Sequence, residues 1–351
     1  DFDCNGGAFY DYLIREGYNK KYKIVWMLQN KKPKQLPDNV ICFNLFRPSY
    51  RKTYYFYTAK YMTSDHHILG RKRNGQTACY LDHGAIGLKA FKGMITLPDE
   101  LDCILVPSKY LAPILADQYN LPYPNNKQRV LGYPIHDIFY SDRPGDLGKL
   151  THKKYQKVIL WMPTFRKSVD FNRIDSDNEL PLGIPIIKDI ESCKKLNDFL
   201  RLNNTFLIVK IHPMQDLTTV KIRDMSNILV LDANTVKQRG VDNYRLMKDV
   251  DALISDYSSA AYDFMHADKP IAFTLDDAED YKLGFLFENP LNYMPGHIVY
   301  NQEEFMGFIQ DVIEGKDPYK SEREKISNLF YAYHDENGSR RLAEYMGLTK
   351  A

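Results

Sequence analysis

The sequence predicts an α/β protein built from two parallel sheets, each covered by helices on both faces. Short apolar runs of strand length recur along the chain, and segments of helical composition separate them. The recurrence breaks once, in the charged stretch His136–Gln156 with its Pro144-Gly145 pair, and then restarts. Alternation of this kind is the mark of βαβ units, and the single interruption divides it into two series.

The first series contains YKIVWML (22–28), NVICFNL (39–45), TACYL (77–81), DCILVPS (102–108) and RVLGYP (129–134). The second contains KVILWM (157–162), NTFLIVKI (204–211), NILVLD (227–232), VDALIS (250–255) and KPIAFTL (269–275). The expected division is a domain over 1–145, a second over 146–330, and a terminal helix over 331–351 that packs back on the first. No short repeat or low-complexity tract interrupts either series.

Composition agrees with a globular chain of this size. The 351 residues are 44% hydrophobic and 26% charged, enough to bury a large core in about two domains. The five cysteines lie far apart with no CxxC spacing, which speaks against a zinc site or a disulfide framework and suits a reducing compartment. No apolar stretch approaches the ~20 residues of a membrane span, so the expectation is a soluble or peripheral protein. The first residue is Asp1, which leaves room for an upstream anchor or targeting segment.

Charge is unevenly spread although the net charge is only +2. Between Arg47 and Lys92 stand nine Lys or Arg and two Asp, a local excess of seven positive charges, and RPSYRKTYYFYTAKYM interleaves them with aromatics. That combination suits an anionic membrane surface, a polyanionic ligand or nucleic acid. A solvated basic face with its tyrosines packed inward fits equally well, and no nucleic-acid motif accompanies the patch.

In the second series, polar residues follow each strand. VILWM runs into Pro163-Thr164-Phe165-Arg166, FLIVKI into His212-Pro213 with Lys210 just before, and DALIS into Asp256-Tyr257-Ser258-Ser259. Open α/β sheets bind ligands at the carboxyl ends of their strands, so Arg166, His212, Ser258 and Ser259 are candidates for one anion site. An Arg grips phosphate oxygens bidentately and a His donates a hydrogen bond near neutral pH. The serines read two ways: as added donors for phosphate at a strand-to-helix turn, or as a plain helix cap.

The first series offers CYLDHGAIGLKAF (79–91), where a strand ends at Asp82-His83-Gly84 with Lys89 beyond. Gly84 permits a tight turn, His83 is a candidate general base and Asp82 a residue to orient it; an exposed turn histidine is the competing reading. Gly132 and Pro134 form another post-strand turn, with His136 read as a surface residue, as are His66 and His67. The acids of LDDAEDY (275–281) read as a solvated loop, and no metal site is assigned.

Taken together, these motifs resemble the CDP-glycerol glycerophosphotransferases that build teichoic acids and related capsule polymers in bacteria. The matching elements are His83-Gly84 with Lys89, Gly132 and Pro134 with Asp137, Pro163-Thr164 with Arg166, Lys210 with His212-Pro213, Ser255–Ser259, and Asn337-Gly338-Ser339-Arg340. The opening GGAFYDYLIREGYNKKYKIVWML is similar to the family's first helix and strand. The set spans most of the chain, and its order and spacing are more specific than any one element.

The resemblance implies a GT-B type fold, two Rossmann-like domains with parallel sheets facing a central cleft. The first domain would serve the acceptor and the second the nucleotide donor. It implies attack of an acceptor hydroxyl on the glycerol-bearing phosphorus of CDP-glycerol or a related CDP-alditol, with release of CMP. His83 would take the acceptor proton with Asp82 beside it. Arg166, His212, Ser258, Ser259, Lys210 and Thr164 would hold the diphosphate, while Gly84, Lys89, Gly132, Pro134 and Asp256 would line the acceptor side or cleft. The acceptor would be lipid-linked or polymeric, at the inner face of the cell membrane. No tightly bound cofactor and no nucleic acid are implied, and a divalent cation has room beside the diphosphate.

Two departures fall in the acceptor half. Asp82 stands where the family more often has Trp, and Ala85-Ile86-Gly87-Leu88-Lys89 replaces a Thr-Pro-Leu-Lys continuation with one residue inserted. Ile135 stands where an Arg is usual. The competing functions are a GT-B glycosyltransferase using a nucleotide sugar, a ribitol phosphate transferase, and a polyanion- or membrane-binding protein without catalysis.

Overall fold

The computed structural model describes residues 4–29, 33–164, 180–276 and 284–350, which form two compact units. The first comprises residues 1–85, 92–141 and 330–351; the second comprises 86–91 and 142–329.

In the first unit, α1 (Cys4–Arg15) precedes β1 (Ile24–Leu28) and β2 (Val40–Asn44), which pair in parallel. Then come α2 (Tyr50–Thr58), β3 (Tyr61–Ser64), β4 (Thr77–Tyr80), β5 (Cys103–Leu105), α3 (Leu111–Gln118), β6 (Gln128–Arg129) and α4 (Asp137–Tyr140). Strands β3 to β6 form a parallel sheet in sequence order, separate from the β1-β2 pair. The strand β3 escaped the sequence reading because its four residues, YMTS, lie inside the basic aromatic stretch and carry no apolar run. The run 129–134 contributes only Arg129 to the two-residue β6, since Gly132 takes φ +77° and Pro134 opens a 3₁₀ turn.

The second unit holds β7 (Lys157–Trp161), α5 (Ile190–Leu202), β8 (Thr205–Lys210), β9 (Ile228–Leu231), α6 (Ala233–Arg239) and α7 (Asn243–Asp249). It continues with β10 (Ala252–Ser255), α8 (Ser259–Asp263), β11 (Ile271–Thr274), β12 (His297–Val299), α9 (Gln302–Ile313) and α10 (Lys320–Phe330). Its six strands are parallel in the order β12-β11-β10-β7-β8-β9. Counted from β7, that is the Rossmann order 3-2-1-4-5-6 read from the other edge.

Burial on both faces explains why these strands read as unbroken apolar runs. Every residue of β8, β10 and β11 is buried. Ile159 and Trp161 of β7, Leu207 and Val209 of β8 and Ile254 of β10 enter one core. Helix α5 adds Cys193, Leu196 and Leu200, and α9 adds Phe305, Phe308, Ile309 and Val312, at the helical spacing that places each set on one face. Asp189 and Asn301 start these helices, accepting from Ser192 N at 2.7 Å and Glu304 N at 3.0 Å.

The last segment of the chain, with α11 (Gly338–Tyr345), belongs to the first unit. Its seat is the turn after β6. Asp137, buried, accepts from Gly338 N at 2.8 Å and Ser339 N at 3.0 Å at the start of α11. Arg341 donates to Leu131 O at 2.6 Å and pairs with Asp335 at 2.9 Å, its guanidinium 3.7 Å from the Tyr333 ring centroid. His136 is 4% exposed, packed between the tilted Tyr133 ring and, edge-on, the Tyr331 ring, and so is a packing residue of this seat and not the surface residue the sequence suggested.

Candidate active site

In the first unit the candidate base stands just past β4. Asp82 takes φ +60°, a left-handed conformation that Asp tolerates better than most residues. The bend brings its Oδ1 within 2.7 Å of His83 N and 2.9 Å of His83 Nδ1, while Tyr80 donates to it at 3.3 Å. Tyr119 donates to Oδ2 at 3.0 Å. Burial works to raise the Asp82 carboxyl, but the hydrogen bonds and charge of His83, with the Tyr119 hydroxyl, outweigh it and hold the group below the ordinary carboxylate range. Asp82 is therefore ionised and fixes the His83 tautomer: Nδ1–H faces the carboxylate, which makes Nε2 the basic nitrogen of the neutral ring. The His83 side chain is 63% exposed.

Asn5, fully buried in the first turn of α1, donates to Leu81 O at 3.1 Å and Asp82 O at 2.9 Å, and accepts from Ile135 N at 3.2 Å. It ties the β4 end to the turn after β6. Neither Asn5 nor Tyr119 was legible as a site residue, because their partners lie 76, 130 and 37 positions away. Gly132 and Pro134 are accounted for by packing: a Cβ on Gly132 would lie 2.8 Å from the Arg341 guanidinium, and Pro134 is buried in the turn.

In the second unit the connections leave β7 toward β8 and β9 on one side, and β10 toward β11 and β12 on the other. The switch point lies between β7 and β10, where open α/β sheets place their ligands. Residues Thr164 and Asp256 bridge it. Asp256 Oδ2 accepts from Thr164 N at 2.9 Å, and Oδ1 accepts from Thr164 Oγ1 at 2.6 Å and Ser258 N at 3.0 Å, all with Asp256 fully buried. The carboxylate thus organises the turn from inside, and the Thr164 proton is committed to it.

Ser258 is the N-cap of α8, its Oγ accepting from Ala260 N at 3.3 Å. The capping half of the sequence reading therefore holds. A capping hydroxyl still has its own proton to donate. With only five residues in α8, the hydroxyls and the switch point, more than a helix dipole, favour an anion here. Ser259 is half-buried beside it. Across β7, Lys210 is the buried last residue of β8, and Met214 N donates to His212 Nδ1 at 3.1 Å. That bond puts the proton of the neutral imidazole on Nε2. Arg166 lies outside the described residues, as do positions 277–281 of the acidic loop.

Residues 86–91, which follow the His83-Gly84 pair, form part of the second unit. Leu88 N donates to Tyr257 O at 3.1 Å, Leu286 N to Leu88 O at 2.8 Å and Ala90 N to Gly284 O at 3.1 Å. The Lys89 ammonium lies 5.2 Å from the Tyr257 ring centroid. A Cβ on Gly87 would sit 3.2 Å from Ser259 N, so glycine lets this strap lie close along the serine turn.

The basic aromatic stretch spans several elements. Its helix α2 has no buried residue, and Tyr50, Tyr54 and Tyr57 are 97%, 62% and 51% exposed. These tyrosines point outward, against the inward packing that was one reading of the sequence. Among the described residues, no three His, Cys, Asp or Glu are grouped to hold a metal, and no helix is long and apolar enough to cross a membrane.

Comparison with known proteins gives one consistent answer. A family model described as CDP-Glycerol:Poly(glycerophosphate) glycerophosphotransferase matches residues 1–347. The teichoic acid glycerol-phosphate primase of Bacillus subtilis is 26% identical over 70% of this chain and 57% of its own length. The teichoic acid ribitol-phosphate polymerase TarL of Staphylococcus aureus is 31% identical over 54% of this chain and 30% of its own. The chain thus spans under three fifths of two glycerol-phosphate primases it matches, at 57% and 58%. Among solved structures, the wall teichoic acid polymerase TagF superimposes with a TM-score of 0.75 at 18% identity, over 99% of this chain and 86% of that one. The likeness shows a shared fold.

Proposed function

Since this chain belongs to the CDP-glycerol:poly(glycerophosphate) glycerophosphotransferase family, we propose that it moves glycerol phosphate from CDP-glycerol to a hydroxyl of a lipid-linked or polymeric acceptor in teichoic acid-type polymer synthesis. The acceptor oxygen forms a bond to the glycerol-bearing phosphorus, the bond from that phosphorus to the CMP oxygen breaks, and the acceptor proton passes to His83 Nε2. Asp82 holds the ring in the required tautomer and offsets the charge it gains. Ser258, Ser259, His212 and Lys210 face the diphosphate, and Thr164 and Asp256 hold the turn that presents the serines.

The observation that carries this reading is the Thr164-Asp256-Ser258 network at the switch point of a Rossmann-ordered sheet. It supports a diphosphate site because it fixes donors before the ligand arrives, and phosphoryl transfer depends on positioning and charge stabilisation. The protein works in the cytoplasm against the inner membrane face, with the exposed tyrosines of α2 and the nearby cations as its contact.

Calorimetric titration with CDP-glycerol, CDP-ribitol, UDP-glucose and CMP, with and without magnesium, tests the assignment. Selective CDP-glycerol binding supports it. Preference for CDP-ribitol would make the ribitol-phosphate relatives the better guide to the donor, and preference for UDP-glucose would overturn phosphoryl transfer.

A further inference from the structure

The ends of β3 and β4 carry the same dipeptide. Strand β3 runs into Asp65-His66 and β4 into Asp82-His83, and the strands are parallel neighbours with Ser64 opposite Tyr80. His66 Nδ1 lies 3.0 Å from Asp65 Oδ1, and His83 Nδ1 lies 2.9 Å from Asp82 Oδ1. The two imidazoles stack, with centroids 5.4 Å apart and planes 28° from parallel. One helix end secures both pairs: Gly6 N donates to Asp65 Oδ2 at 3.0 Å, one residue after Asn5 grips the carbonyls of Leu81 and Asp82. A Cβ on Gly6 would stand 2.7 Å from Asp65 Oδ2, so the clamp needs glycine there.

We infer that His66, held by Asp65, is a positioning residue for His83, which keeps the base in its working rotamer and supports its protonated form during transfer. The inference rests on the reading of His83 as the base. An exposed histidine has many rotamers, and a flat ring against one face removes most of them. Once the acceptor proton reaches His83 Nε2, the new imidazolium meets a polarisable ring on one side and the Asp82 carboxylate at its Nδ1. His66 makes and breaks no bond; the proton on His83 leaves later to water. Among the described residues, the charged and titratable groups around the two rings include Asp65 from the β3 end, Tyr80 and Asp82 from β4 and its end, and Tyr119 from the residue after α3.

The test uses the whole chain and two readouts. In steady-state assays with CDP-glycerol and a glycerophosphate acceptor, His66→Ala lowers kcat about tenfold and leaves donor affinity unchanged, since misplacement of a base costs turnover before binding. His66→Phe, which restores a ring without charge or proton, recovers most of kcat. In the free protein, the His83 ring is followed by NMR across pH, and its titration midpoint falls in His66→Ala and in Asp65→Asn. An unchanged midpoint and unchanged kcat in His66→Ala overturn the inference, and so does a loss of donor affinity. Full activity in His83→Ala overturns the base assignment instead, while the NMR midpoint still reports whether the rings are coupled.

Discussion

Asp256 holds Thr164 by both its backbone N–H and its hydroxyl, at 2.9 and 2.6 Å, across the one pair of strands in its sheet from which the chain departs in opposite directions. With Ser258 N, the fully buried carboxylate collects three donors. Replacing it strands those donors. Asp256→Ala is expected to cost about 3 kcal/mol in urea denaturation, from the loss of charge-assisted bonds and the unpaired groups left behind. Thr164→Val removes one bond and costs about 1–2 kcal/mol. CMP affinity should fall in both; an unaltered affinity would detach this turn from the donor.

The two serines separate by the same logic. Ser258→Ala loses a helix cap and about 1 kcal/mol, whereas Ser258→Gly keeps nearly all the stability and still lacks the hydroxyl. Ser259→Ala leaves stability alone. Weakened CMP binding in Ser258→Gly and Ser259→Ala, at unchanged melting temperature, is the expected result. Binding equal to that of the parent chain would reduce the pair to a cap.

The fold was legible because fully buried parallel strands write themselves as apolar runs, as FLIVKI does for β8. The site was legible only where its residues follow such runs, as His212 and Ser258 do. Asn5 was invisible because its three bonds reach strands and turns far along the chain, and nothing in DCNGG marks a buried asparagine. Misreading His136 has the same cause: Tyr133 is a neighbour in sequence, but Tyr331 is supplied by a segment nearly two hundred residues later. The strand β3 was missed because its side chains are half polar.

Asp82 gives a pH prediction with a definite sign. Its carboxyl is held below the ordinary 3.8, despite burial, by His83 and Tyr119. The stability it contributes is therefore complete above that value and is lost as pH falls through the lower, folded one. Asp82→Asn should be less stable than the parent chain at neutral pH, and the difference should close in strong acid. Its kcat should drop about 100-fold at neutral pH, as the base loses its orienting anion. A pH–rate profile and acid titrations of both proteins check this.

His334 acts in the opposite part of the pH range. It sits at the seat of α11, where Tyr140 OH lies 3.3 Å from Nδ1 and Tyr331 packs against the ring. Burial lowers its pKa from the ordinary 6.5, opposed by the Tyr331 backbone and Asp335 and aided by the charge of His136. The stability it contributes is present above 6.5 and lost as pH falls from there through the folded value. Hydrogen-exchange protection at Ser339 and Arg341, taken relative to the intrinsic rate at each pH, should fall between pH 7 and 5, and His334→Phe should flatten that dependence.

A glycine substitution tests the same seat sterically. Gly132→Ala must hold φ +77° and move the Arg341 guanidinium from 2.8 Å, so it is expected to cost at least about 1 kcal/mol, read as a lower melting temperature.

The strap 86–91 makes the two units inseparable as pieces of gene. The chain passes from one unit to the other after residues 85, 91, 141 and 329, so neither unit is a contiguous stretch. A fragment ending where the six-stranded sheet ends would still lack the hexapeptide that Tyr257 and Leu286 bond to, and would bare the Tyr257 ring. Shuffling at one junction would pair a foreign strap with a native serine turn, and the mismatch would fall three residues from His83. Chimaeras that exchange the six-stranded unit therefore need the hexapeptide carried over together with residues 142–329.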